Sequence, residues 1–80
     1  MQTKTDLHIG NIICRHLAKE GRSKKWLADK VYCEYSNFCK TLKQPFIDIE
    51  MLIRISIALK YDFFADISHY IATVHKSKKW

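Results

Sequence analysis

Four polar side chains stand close together near the middle of the chain: Tyr35, Ser36, Asn37 and Lys40. Phe38 and Leu42, interleaved with them, have the spacing of a buried helical stripe, which turns the polar four outward. An outward asparagine can pair bidentately with the edge of adenine, and a lysine can donate to guanine O6 or N7, while serine is permissive. A tyrosine at the start of such a helix can reach a phosphate or a thymine methyl. This is the chemistry by which a helix reads base edges in the major groove of DNA. Each of these residues taken alone also suits a solvated helix face.

What precedes them favours the first reading. Ser23 is a good N-cap, and Lys24 and Lys25 follow in the first turn of another helix. Cations are misplaced there, because the helix dipole is positive at that end and each costs ~0.3–1 kcal/mol. The free N–H groups of the same turn form an anion site. Ser23, Lys24 and Lys25 therefore make sense around a phosphate; lysines that are merely exposed and tolerated are the alternative. The net charge of +6 is uneven: residues 15–43 carry +5, residues 44–70 carry −2, and the tail from Ile71 carries +3. A polyanionic partner fits that distribution.

Positioning these side chains calls for five helices, and periodicity predicts them. The first runs from Leu7 or His8 to Glu20, capped by Asp6 and ended by Gly21. Ile9, Ile12, Ile13 and Leu17 make its apolar face, with His16 at the boundary. The second starts after Ser23 and continues to Lys30 or Val31, burying Leu27, Ala28 and Val31. The third spans Tyr35 to Lys43. Beyond Pro45, the fourth runs from the cap Asp48 to Leu59 or Lys60, with Leu52, Ile55, Ser56 and Leu59 inward. Ile49, Ile53 and Ile57 form a second stripe on it, which needs a cover, either the C-terminal segment or a second subunit. The fifth begins at Asp62 and carries Phe63, Phe64, Ile67, Tyr70 and Ile71, with Val74 extending it. Phe64 and Ile67 are the members expected in the core, and the basic tail is expected to fray.

Eighty residues suffice for one domain, with a core over about 7–71 and a tail over 72–80. Such a chain buries only ~60% of its unfolded surface. Few helix breakers and many apolar residues favour an all-α fold. The three cysteines are odd in number and lack CxxC spacing. A zinc site from Cys14, His16, Cys33 and Cys39 is conceivable but irregular, so no metal or other cofactor is expected. No apolar run resembles a signal peptide or reaches the ~20 residues of a membrane span. A cytoplasmic protein with reduced thiols is the simplest expectation. No Ser–His–Asp order, paired carboxylates in an apolar setting or phosphate-binding glycine loop is present, so an enzyme is not expected.

Three segments carry a resemblance: WLADKV at Trp26–Val31, YSNFCKTLK from Tyr35, and LIRISIALKYDFF from Leu52 to Phe64. Their order and spacing resemble the lambda-repressor-like, or Xre-type, helix-turn-helix family of DNA-binding domains, over about His8 to Ile67. The short form is similar to small stand-alone regulators of bacteria and their mobile elements. The resemblance implies that Lys24 contacts phosphate and that Tyr35, Ser36, Asn37 and Lys40 face the bases. It also implies that Lys43 and Gln44 meet the backbone and that the fifth helix joins a dimer contact. Three positions depart from the family pattern. Tyr32 stands where glycine is common, so a differently shaped turn is expected. Glu34 replaces the usual Ser or Thr cap, and Leu42-Lys43-Gln44 replaces a Glu-x-Gly segment.

The expectation is thus an all-α, compact five-helix lambda-repressor-like domain, with its helix-turn-helix at helices two and three. Its expected function is sequence-specific binding of double-stranded DNA as a transcriptional regulator, in the usual case a repressor. A homodimer is expected through Ile57, Phe63, Tyr70 and Ile71, unless the C-terminal segment folds back over helix four. The alternative is an antitoxin-like or other interaction module whose main partner is a protein.

Overall fold

Ile9, Ile13 and Leu17 recur every fourth residue and turn one face of α1 (Ile9–Glu20) into the core. The computed structural model describes residues 7–77. The cap of α1 is His8, whose Nδ1 accepts from the Asn11 N–H at 3.0 Å. Asp6, expected in that role, lies outside the described residues. Four more helices follow: α2 (Lys24–Lys30), α3 (Tyr35–Leu42), α4 (Ile49–Leu59) and α5 (Phe63–Ser77). Ser23 Oγ caps α2 by accepting from the Trp26 N–H at 3.0 Å. Asp48 does the same for α4 through the Met51 N–H at 3.3 Å. The Asp62 carboxylate accepts from the Phe64 and Ala65 N–H groups at the start of α5. No strand occurs among the described residues. The tail beyond Ser77 lies outside them.

α3 packs against α1 and α2, and α2 against α4. Ile13, Leu27, Ala28, Phe38 and Ile55 are fully enclosed where these helices meet. Phe63 joins them at 1% exposure, whereas Phe64 and Ile67 are half-buried against the core. The central aromatic of α5 is thus Phe63, not Phe64. Ile47, in the connection before α4, is also buried. At Gly10 two backbones meet: a Cβ there would overlap the Leu42 carbonyl oxygen and stand 2.8 Å from that of Gln44. Beside it the Ile9 N–H donates to the Pro45 carbonyl at 2.7 Å.

Three helices end in one and the same closure. After α1, the N–H of Gly21 (φ 70°) reaches Ala18 O and that of Arg22 reaches Leu17 O. After α2, Tyr32 (φ 58°) donates to Asp29 O at 3.3 Å and Cys33 to Ala28 O at 2.9 Å. After α4, Lys60 (φ 53°) donates to Ile57 O and Tyr61 to Ser56 O. The expectation of a differently shaped turn at Tyr32 is therefore corrected: the turn keeps a left-handed residue despite the side chain. Satisfying the last carbonyls of α2 outweighs the ~1–2 kcal/mol that a Cβ costs in this region. Because Tyr32 is 91% exposed, its side chain returns little packing energy. Tyr32→Gly is expected to raise stability by roughly 0.5–1 kcal/mol, after the greater freedom of glycine in the unfolded chain is subtracted. The urea midpoint should rise at constant slope; a lower midpoint would show that the phenol makes a stabilising contact.

Candidate nucleic-acid interface

α3 is short, and its orientation is set by two side chains. Phe38 and Leu42 are held in the core, so Tyr35, Ser36, Asn37 and Lys40 emerge together on the opposite face, all exposed. Glu34, at the N-cap position, makes no side-chain cap hydrogen bond, which leaves the first amides of α3 open to an outside acceptor. Thr41 Oγ1 donates to Asn37 O at 3.0 Å and so engages only the backbone of Asn37. Among the described residues no side-chain hydrogen bond or ion pair ties down the side chains of Ser36, Asn37 or Lys40. Tyr35 is different: interaction with the Cys39 side chain one turn along raises its phenol pKa.

The cations that surround this face come from α2 and from the segment after α3. Lys24 is exposed and has no ion pair among the described residues, and Lys25 Nζ lies 3.3 Å from Asp29 Oδ1. An exposed pair of that kind contributes about 0–1 kcal/mol, so a phosphate can take Lys25 from it. Ser23 is occupied as the cap of α2, its hydroxyl oxygen accepting from the Trp26 N–H. Lys43 and Gln44 are exposed beyond α3, their N–H groups closing its last turn onto Lys40 O and Thr41 O. Sequence reading counts Arg22 and Lys30 in the basic stretch 15–43 but gives neither a role. The Arg22 guanidinium lies 4.3 Å above the Trp26 ring, with Lys30 Nζ 5.6 Å from the same ring. Trp26 and Lys30 stand four residues apart on α2 and so adjoin on its surface, whereas Arg22 precedes the cap Ser23 and reaches the ring from the connection after α1.

The four residues expected at a dimer contact are not brought together. Ile57 and Ile71 are exposed, but Tyr70 is half-buried in a cleft with Leu7, His8, Asn11, Ile12 and Arg15. Phe63 is enclosed in the core and has no surface to offer a partner. Its ring packs edge-on to His16 and Tyr61, with centroids 5.5 and 4.7 Å away. His16 stacks on Tyr61 at 4.5 Å and has Glu20 Oε2 3.3 Å from its Nε2, too poorly aligned for a hydrogen bond. Tyr61 donates to Asp66 Oδ1 at 2.7 Å, and that bond raises its pKa.

Cys14, Cys33 and Cys39 are free and half-buried. Among the described residues no three His, Cys, Asp or Glu side chains gather to hold a metal ion, and no helix is long and apolar enough to cross a membrane. Comparison with protein-family models, with curated proteins and with solved structures finds no match for this chain.

Proposed function

We propose that this chain binds double-stranded DNA sequence-specifically as a transcriptional regulator, most simply a repressor. α2 and α3 serve as the helix-turn-helix of a lambda-repressor-like domain. The observation that carries this reading is the outer face of α3, where Tyr35, Ser36, Asn37 and Lys40 are exposed while Phe38 and Leu42 are locked in the core. α3 lies in the major groove, which is about 12 Å wide and admits one helix. Phosphates bound at Ser23, Lys24 and Lys25 on one side, and at Lys43 and Gln44 on the other, set its register. Asn37 and Lys40 then read base edges, flanked by Tyr35 and Ser36. Nothing in this function requires a bond to be made or broken, nor a cofactor. One such helix reads few base pairs, so a two-fold pair of copies, with reading helices ~34 Å apart, is part of the proposal. The working compartment is the cytoplasm.

Selection of bound duplexes from a random library tests it. A palindrome should be enriched. Lys24→Ala should weaken every duplex about equally, because phosphate carries no sequence information. Asn37→Ala should cost ~1–3 kcal/mol on the selected site and little on random DNA. If both variants change preference in the same way, the roles assigned to them are wrong. One observation favours the reading as a protein-interaction module: the exposed isoleucines of α4. A library that enriches no duplex would select that reading.

A further inference from the structure

Ile49, Ile53 and Ile57 recur every four residues along α4 and are 66%, 45% and 71% exposed. α5 leaves this strip bare. A contiguous apolar patch on a small domain marks an interaction surface. Glu50 and Arg54, paired at 2.8 Å, border it. At one end it opens into a groove of about 580 Å³ between the end of α2 and α4, lined by Lys30, Val31, Tyr32, Arg54, Ile57 and Ala58.

The geometry points to a second copy of this chain as the occupant, its α4 lying antiparallel across the strip. The pattern is its own complement. A two-fold axis beside Ile53 sets Ile49 opposite the partner's Ile57, because both stand four residues from the axis. With a rise of ~1.5 Å per residue, Glu50 lies about 4.5 Å to one side of the axis and Arg54 about 1.5 Å to the other. The two-fold keeps these residues on one edge of the helix pair. It brings each Glu50 to within about 3 Å, measured along the helix, of the partner's Arg54. Opposite charges therefore meet at the border of the apolar strip, where an edge of a single sign would repel. Two helices alone bury less than the ~1,200 Å² of a standard interface, so the rim at Tyr32 has to contribute. The dimer is accordingly weak and reversible, and DNA with two half-sites tightens it. This inference rests on the DNA-binding reading for its purpose but not for its test. Of the dimer residues expected from sequence, only Ile57 belongs to the strip.

Sedimentation of the full chain over a concentration series, without DNA, decides the matter. The unaltered chain should pass from monomer to dimer as concentration rises. Ile53→Glu should raise the dimer dissociation constant at least tenfold, with an unchanged helical circular dichroism spectrum. Glu50→Arg and Arg54→Glu should each stay monomeric alone and associate when mixed, since their edges then carry opposite charge. A monomer at every concentration would overturn the inference. So would failure of the mixed variants to associate, or a dimer dissociated by Ile71→Glu but not by Ile53→Glu. Dimerisation that depends on the strip in a chain with no affinity for any duplex would sink the DNA-binding reading and leave this one standing.

Discussion

Gly10→Ala is expected to destabilise the domain by roughly 3 kcal/mol or more, at the upper end of what overpacking costs. The added methyl would overlap the Leu42 carbonyl oxygen, which belongs to backbone and cannot rotate away as a side chain would. α1 must lift from the end of α3, and the 2.7 Å hydrogen bond from Ile9 to Pro45 is lost with it. Total stability for a chain of this length is about 4–12 kcal/mol at ~0.05–0.15 kcal/mol per residue. Much of it therefore disappears, although alanine is the better helix former at this position by ~1 kcal/mol. Thermal unfolding followed by circular dichroism checks this. A melting temperature within a few degrees of the unaltered chain would mean that the two backbones are not in contact in solution.

Affinity for the selected duplex should fall roughly a thousandfold or more between 50 and 200 mM salt, since a protein neutralising about six to ten phosphates loses that much through counterion uptake. In the proposed complex Lys24, Lys25 and Lys43, all exposed, would supply three such contacts per copy, and a two-fold pair would double them. Lys24→Ala should lower the slope of log K against log salt by about 0.9 for each copy, while Asn37→Ala should leave the slope unchanged. A titration series at four or five salt concentrations gives the slope directly. A flat dependence would rule out the phosphate frame proposed at the ends of α2 and α3.

The helices were legible because their ends carry strong local signals. Ser23, Asp48 and Gly21 each act through their own backbone or the next turn, so no tertiary knowledge is needed to place them. The exposed face of α3 was legible for a similar reason: Phe38 and Leu42 define the inner stripe and leave little choice for their neighbours. Phe63 and Phe64 were not distinguishable. They lie about 100° apart on α5, and the direction in which α5 leaves the turn at Lys60 decides which ring enters the core. Gly10 gave no warning because its backbone is ordinary helix; what requires glycine is the carbonyl of Leu42, distant in sequence. The His8 cap carried little signal, because Ser, Thr, Asp and Asn are the side chains that usually accept at this position and Asp6 is one of them.

The left-handed turns at Tyr32 and Lys60 bear on how long a molecule survives. Together they withhold about 1–2 kcal/mol from a small total, once the freedom that glycine has in the unfolded chain is subtracted. A ligand present at a hundred times its dissociation constant returns about 2.7 kcal/mol to the native state, which more than offsets that cost. The unfolded fraction, which is what a protease degrades, therefore differs by about two orders of magnitude between free and ligand-bound molecules. Where proteolysis follows that fraction, the unoccupied pool is cleared first, and steady-state abundance follows the number of occupied sites.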